Sequence, residues 1–137
     1  MKFHRLLLLL GALLFGLVNG CSAENVPLVD VQKAAAMQAQ GALLLDVRQP
    51  DEYREFRAPN SMLLPLGLLR SRMGEISRYK GQPVAVICHS GRRSARAVKQ
   101  LQEAGFTQAV SVDGGMVAWA AAGVASRARR TAAVKFG

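Results

Sequence analysis

The sequence contains few cysteines and few aromatic residues for its length. Among 137 residues there are two cysteines, Cys21 and Cys88, and aromatic side chains make up 6% of the chain. With few aromatics to stack on bases and no recognisable nucleic-acid motif, the formal net charge of +9 does not indicate a nucleic-acid partner. Half of the residues are hydrophobic and a fifth are charged, which argues against disorder and predicts one domain with a real core.

The apolar stretch at the N-terminus is too short to cross a bilayer comfortably. It runs for 13 residues from Leu6 to Val18, after a basic start with Lys2 and Arg5, and small residues follow it. This pattern is typical of a secretory signal peptide rather than of a membrane span or a buried helix. We therefore expect residues 1–23 to be a signal peptide and the protein to be periplasmic.

Two routes of processing remain open. Cleavage after Ala23 would release a soluble chain that begins at Glu24. Alternatively, the segment before Cys21 resembles an imperfect bacterial lipobox, and a lipidated Cys21 would attach the protein to a membrane. In both cases Cys88 has no internal disulfide partner, and an unpaired cysteine in an exported protein suggests a reactive thiol.

Apolar runs alternate with helical patterns along the rest of the chain. Buried strands are predicted over 42–47, 84–88 and 108–112, with a short extended segment over 61–66. Helices are predicted from Asp30 to Gly41, from Pro50, over 66–79, from Ser94 to Gly105, and over 116–123. This alternation predicts an α/β fold with a small, mainly parallel sheet and helices on both faces, formed by residues 24–123. The basic segment 124–137 is predicted to be a solvated, frayed tail.

Cys88 falls at the carboxyl end of a predicted strand, which is where ligands bind in such sheets. The backbone N–H groups of a tight loop can hold an anion, and the N-terminus of the next helix adds partial positive charge. Arg92 and Arg93 add full charges, and such surroundings lower the pKa of a thiol. Cys88 is therefore predicted to be a nucleophile in an anion-binding loop.

The other residues of this loop have simpler roles. Gly91 is expected to supply the positive φ that a tight loop needs, and Ser94 is expected to cap the following helix. His89 is interpreted as an exposed loop side chain, although it could donate a proton. Because arginines at a helix start oppose the helix dipole, an anion should offset Arg92 and Arg93.

Three segments together resemble the rhodanese (sulfurtransferase) family. They are LLLDVRQPDEY, VICHSGRRSARA and VDGGMVAWAAAG, and they occur in this order between about Leu28 and Gly123. The signal peptide and the small size make the chain similar to exported single-domain members of the phage-shock-protein-E type. The resemblance implies a rhodanese-like fold and thiosulfate sulfurtransferase activity.

The resemblance also implies a mechanism. The Cys88 thiolate would take a sulfane sulfur from a small anionic donor such as thiosulfate and pass it, as a persulfide, to cyanide or a thiol. The residues implied to bind the donor and the persulfide are His89, Ser90, Gly91, Arg92, Arg93 and Ser94. Asp46 and Arg48 are interpreted as an ion pair or hydrogen-bonded support. No metal or other cofactor is implied, and a monomer is expected.

The chain departs from the family at two places. Phe56-Arg57 stands where the family usually has Gly-His, and Asn60 stands where it has glycine. Asparagine tolerates positive φ, so the turn at Asn60 should survive. Phe56-Arg57 is expected to lie away from the Cys88 loop, and Trp119 is expected to be a core residue.

Two other functions remain open. Cysteine phosphatases and arsenate reductases of the same fold have a wider loop, with the arginine six residues after the cysteine. Here Arg93 follows Cys88 by five residues, which favours a sulfur atom over a phosphate. A non-catalytic rhodanese-like module is the other alternative, but such modules typically lack the cysteine.

Overall fold

The computed structural model describes residues 25–128. The strands are β1 (Leu28–Val29), β2 (Leu43–Asp46), β3 (Phe56–Arg57), β4 (Met62–Leu63), β5 (Val84–Ile87), β6 (Ala109–Val112) and β7 (Arg127–Ala128). The helices are α1 (Val31–Ala39), α2 (Pro50–Glu55), α3 (Leu69–Arg72), α4 (Arg92–Glu103) and α5 (Gly115–Ala121). Asp30 caps α1 as predicted, since its side chain accepts a hydrogen bond from the Lys33 N–H at 2.7 Å.

Five strands form one sheet in the order β1-β6-β5-β2-β4, and all neighbouring pairs are parallel. The predicted α/β fold with a parallel sheet is therefore confirmed. The two-residue edge strand β1 was not predicted, because so short a segment carries no measurable periodicity. Asn60 has a φ of 56°, as the expected turn requires.

Each face of the sheet carries its own apolar core. Leu45 and Val86 belong to the cluster that includes Val98 and Leu101 of α4. The intervening strand residues Leu44 and Ala85 belong to the other cluster, which α1 and α5 cover. Side chains alternate between the faces of a strand, so β2 and β5 are buried on both sides and read as continuous apolar runs.

The single amphipathic helix predicted over 66–79 was wrong. This segment consists of the 3₁₀ turns Leu66–Leu68 and Met73–Tyr79 on either side of the short helix α3. Gly67 and Gly74 fall within the two turns, and glycine weakens an α-helix by about 1 kcal/mol relative to alanine.

The beginning of the basic tail is ordered, contrary to the prediction. Arg127–Ala128 pairs antiparallel with Phe56–Arg57, and Val124 packs against the α1–α5 core. The Trp119 Nε1–H also donates to the Ala125 carbonyl at 3.0 Å. The charge pattern of the tail could not predict this pairing, because β3 binds the tail through backbone hydrogen bonds. Trp119 itself is 1% exposed, which confirms its expected place in the core.

The described residues include no helix that is long and apolar enough to cross a membrane. The predicted signal peptide and Cys21 lie outside the described residues, as does segment 129–137.

Candidate active site

Cys88 lies at the carboxyl end of β5, the central strand of the sheet. Cys88 is 1% exposed and packs in the core between the sheet and α4. β2 ends beside it, because Asp46 is in register with Ile87. The side chains that follow these two strands therefore meet at one edge of the sheet.

The loop after Cys88 folds back onto the sulfur. The Gly91 N–H donates to the Cys88 Sγ at 3.1 Å. Gly91 has a φ of +105° and is the residue that precedes α4, so its positive φ directs the loop into the helix. Ser94 was wrongly predicted as the helix cap: α4 begins at Arg92, two residues earlier.

Ser94 instead lies under the sulfur. Its Oγ is 3.4 Å from the Cys88 Sγ, 3.1 Å from the Gly91 carbonyl oxygen and 2.7 Å from the Ser111 Oγ. Both serines are fully buried. Ser111 was not singled out from the sequence, although a hydroxyl within a buried strand needs a polar partner and could have indicated this pair.

These contacts set the ionisation of the thiol. Burial raises the pKa of Cys88, whereas hydrogen bonds from the Ser94 side chain and from the backbone N–H groups of Ser94, Gly91 and Ser90 lower it. The hydrogen bonds prevail, and the pKa of Cys88 lies below the ordinary thiol value.

The two arginines of the loop have different surroundings. Arg92 is exposed and makes no ion pair within residues 25–128. Arg93 donates to both carboxylate oxygens of Glu52, at 2.7 and 2.8 Å. That hydrogen bond from Arg93 is the main cause that lowers the pKa of Glu52 to about 2. The anion expected to offset the arginines is thus partly supplied by the chain itself, from the helix that the sequence predicted to begin at Pro50.

Asp46 and Arg48 form a buried ion pair at the end of β2. The Arg48 Nη2 lies 2.8 Å from the Asp46 Oδ2, and the two residues are 3% and 0% exposed. Arg48 also donates to the Phe56 carbonyl at 2.7 Å. The pair therefore ties the carboxyl edge of the sheet to β3.

The N-terminus of α5 holds the Cys88 loop from the other side. The Met116 N–H donates to the Cys88 carbonyl at 2.8 Å, and the Val117 N–H donates to the His89 carbonyl at 3.1 Å. Gly115 permits this approach, because a Cβ at that position would lie 2.6 Å from the His89 carbonyl oxygen. Gly114-Gly115 belongs to one of the three segments that resemble the family, but the sequence did not predict its contact with the Cys88 loop.

A cavity of about 400 Å³ opens beside the loop, and we name it the His89 groove. Its apolar wall includes Phe56, Met116 and Val117, and its polar lining is Arg48, Glu52, Glu55 and His89. His89 and Ser90 are exposed, as expected for His89. The expectation that Phe56 lies away from the loop was wrong, since β3 is folded against α2 and lines the same groove.

The arrangement can stabilise an anion on sulfur without a general base. The Gly91 N–H already donates to the Sγ and the Ser94 Oγ lies 3.4 Å from it, so a thiolate at Cys88 requires no movement of heavy atoms. Because Cys88 is only 1% exposed, a reagent can reach the Sγ only through a small, unhindered atom.

Comparisons with known proteins agree with this geometry. The sequence model of the rhodanese-like domain family matches residues 28–122. A sulfurtransferase of Allochromatium vinosum is 35% identical over 85 residues, which are 62% of this chain and 78% of that protein. The thiosulfate sulfurtransferase GlpE of Pseudomonas syringae is 34% identical over 88 residues, which are 64% of this chain and 81% of that protein.

A solved structure extends the likeness to three dimensions. The rhodanese-related protein of Thermoplasma volcanium superposes with a TM-score of 0.67 at 29% identity, over 74% of this chain and 97% of that one. The matched segment runs from the edge strand β1 to the residue after α5 and contains the whole Cys88 loop. The chain therefore belongs to the rhodanese-like domain family.

Proposed function

We propose that the protein is a sulfurtransferase that moves a sulfane sulfur from thiosulfate, or a similar small anionic donor, through a Cys88 persulfide to cyanide or a thiol. The observation that carries the proposal is the pair of hydrogen-bond contacts at the Cys88 Sγ, which accepts from the Gly91 N–H at 3.1 Å and lies 3.4 Å from the Ser94 Oγ, a hydroxyl that can donate to a thiolate. These bonds favour a negative charge on sulfur, which the attacking thiolate and the persulfide both need.

In the first half-reaction the Cys88 thiolate attacks the outer sulfur of thiosulfate. A bond forms between Sγ and that sulfur, the S–S bond of thiosulfate breaks, and its electron pair leaves with sulfite. In the second half-reaction cyanide or a thiolate attacks the outer sulfur of the persulfide, and the Cys88 thiolate is regenerated. No proton is transferred to or from sulfur, so no general base is needed.

The arginines are proposed to act on the donor in different ways. Arg92 is exposed and without an ion-pair partner in the described part of the chain, so it is the better placed to bind the sulfonate oxygens of thiosulfate. Arg93 keeps its guanidinium against Glu52, and we propose that it contributes positive charge beside the loop. His89 and Ser90 contribute backbone N–H groups at the loop mouth.

Intact-protein mass spectrometry tests this function. After incubation with thiosulfate the protein should gain the mass of one sulfur atom, and cyanide should remove it with formation of thiocyanate. Cys88→Ala should gain nothing, and Arg92→Gln should form the adduct more slowly. No adduct on the wild type would contradict the proposal. Cys88-dependent hydrolysis of a small aryl phosphate would instead favour the phosphatase alternative.

We also propose that the protein is exported to the periplasm after removal of residues 1–23. The proposal depends on the sequence pattern at the N-terminus, which lies outside the described residues. Cell fractionation and the mass of the mature chain test it. A chain that begins at Glu24 supports the soluble form, a lipidated Cys21 supports the membrane-attached form, and an uncleaved cytoplasmic chain contradicts export.

A further inference from the structure

The guanidinium of Arg93 is held by a carboxylate from another helix. Its Nη1 and Nη2 donate to the two carboxylate oxygens of Glu52, at 2.7 and 2.8 Å. An arginine binds a carboxylate or a phosphate most strongly through such a two-point contact. The two nitrogens with which Arg93 would bind an oxyanion in this way are therefore already occupied.

Glu52 is itself fixed, so its contact with Arg93 requires little further ordering. Glu52 lies in the first turn of α2, and its Oε2 also accepts a hydrogen bond from the Gln49 N–H at 2.9 Å. The side chains of Arg93 and Glu52 are 31% and 29% exposed, so water screens the ion pair only in part. An anion from solution must compete with a carboxylate that the fold has already placed against Arg93.

This ion pair lies close enough to Cys88 to affect what the loop binds. Arg93 follows Cys88 by five residues, and Glu52 lines the His89 groove beside the loop. The hydrogen bond from Arg93 to Glu52 is the main cause that raises the pKa of Arg93, and the charge of Cys88 raises it further. The charge of Arg93 is thus felt at the sulfur, but Glu52 largely balances it.

A sulfur donor and a simple oxyanion would use the two arginines of the loop differently. In thiosulfate, the donor of the proposed function, the reacting sulfur stands between the Cys88 Sγ and the oxygens. These oxygens stay one atom further out, where the exposed Arg92 can bind them. In sulfate or phosphate the central atom faces the Sγ directly, so the oxygens enter the loop and depend more on the less exposed Arg93.

We propose that Glu52 is a specificity-determining residue, which keeps Arg93 occupied and so weakens the binding of compact tetrahedral oxyanions at the Cys88 loop. Without the Glu52 carboxylate, Arg93 would add a second available arginine to Arg92, and a dianion such as sulfate would block the approach to the sulfur. The contrast with thiosulfate rests on the proposed function. The effect on sulfate does not, since it concerns binding alone.

Protection of Cys88 from iodoacetamide measures the binding of sulfate to the loop. The alkylation rate is followed at increasing sulfate, with sodium chloride holding the ionic strength constant, and each variant is compared with its own rate without sulfate. Glu52→Gln should need about three- to tenfold less sulfate than the wild type for half-protection, because a repelling charge is removed and Arg93 is released. A merely structural role for Glu52 predicts the opposite, since a loosened loop binds sulfate less tightly.

Glu55→Gln is the matched control, because it removes the same charge from the same helix and groove, and Arg93 has no ion pair with Glu55 within residues 25–128. At a Debye length of about 8 Å, it should change half-protection by less than about twofold. The double variant Glu52→Gln with Arg93→Gln loses one charge of each sign, so its half-protection should return to within about twofold of the wild type.

Glu52→Ala should tighten sulfate binding in the same direction as Glu52→Gln and provides a second variant without the carboxylate. Circular dichroism and urea unfolding establish that each variant is folded. Unchanged or weaker protection in both Glu52 variants overturns the proposal. Equal tightening in Glu55→Gln, or a gain that persists without Arg93, also overturns it, because the effect would then come from net charge alone. The readout is alkylation rather than sulfur transfer, so a failure here is distinct from a failure of the proposed function.

Discussion

Gly115→Ala is expected to disturb the active loop through one added methyl group. A Cβ at this position would lie 2.6 Å from the His89 carbonyl oxygen and closer still to that of Cys88, and both atoms are backbone. The φ of +55° also places an alanine in the left-handed region, at a cost of about 1–2 kcal/mol. The forced contact adds about 1–3 kcal/mol, as overpacking does elsewhere.

Gly123→Ala separates these two contributions. Gly123 follows α5 with a similar φ of +66°, but nothing lies within 4 Å of the position where its Cβ would be. Both substitutions therefore share the backbone cost and the same gain from a stiffer unfolded chain. The difference between their free energies of unfolding in urea isolates the contact with the loop, and we expect Gly115→Ala to be less stable by about 1–3 kcal/mol.

The same pair of variants distinguishes a local from a global effect on activity. Displacement of the Cys88 carbonyl should break the hydrogen bond from Met116 and move the donors on the sulfur. A shift of about 1 Å can cost up to about a hundredfold in rate, so persulfide formation with thiosulfate should fall about ten- to a hundredfold in Gly115→Ala. Gly123→Ala should keep the wild-type rate. Equal stabilities together with a wild-type rate for Gly115→Ala would refute the view that α5 fixes the loop.

Three further results are expected. Ser94→Ala should slow iodoacetamide alkylation of Cys88 at neutral pH and move its pH midpoint upward, because a hydrogen bond that lowers the thiol pKa is lost; an unchanged midpoint would contradict this. The folded-state pKa of Glu52 is about 2 against an ordinary 4.5, so its ion pair with Arg93 stabilises the fold above pH 4.5 and is lost as pH falls from 4.5 through 2. Glu52→Gln should therefore unfold at a lower temperature at pH 7 but approach the wild type at pH 2, and an equal difference at both pH values would disprove the coupling. Asp46→Asn leaves a buried arginine without its carboxylate and should cost about 3–5 kcal/mol in urea unfolding, whereas a cost below about 1 kcal/mol would mean that the pair is not needed.

The sheet was predictable because its strands are buried on both faces. A continuous apolar run such as 84–87 in a small α/β domain predicts a central strand of the sheet. Because Cys88 directly follows this run, it is predicted to lie at the edge of the sheet where ligands bind. The two-residue strand Leu28–Val29 was not predictable, because its pairing depends on neighbours distant in sequence. The same reason explains Arg127–Ala128, where backbone hydrogen bonds prevail over a charged sequence.

The active loop was predictable in its residue types but not in its partners. The cysteine, the glycine and the arginines form one short segment, and their chemistry follows from that order. Glu52 lies 41 residues before Arg93 in the sequence, and only the packing of α2 beside α4 brings the two together. Ser111 and Gly115 likewise reach the loop from other elements, so no local pattern could connect them to Cys88.

The buried pair Ser94–Ser111 has a consequence for what happens when the thiol ionises. A hydroxyl carries a single proton, yet the Ser94 Oγ has the Gly91 carbonyl, the Ser111 Oγ and the Cys88 Sγ as neighbours. A neutral thiol can give its own proton to Ser94, which is then free to donate elsewhere. A thiolate has no proton to give, so the Ser94 O–H must rotate to face it, while Ser111 donates in turn to Ser94. When Cys88 ionises, the hydroxyl groups of Ser94 and Ser111 thus reorient to stabilise the charge on the sulfur, and no heavy atom has to move.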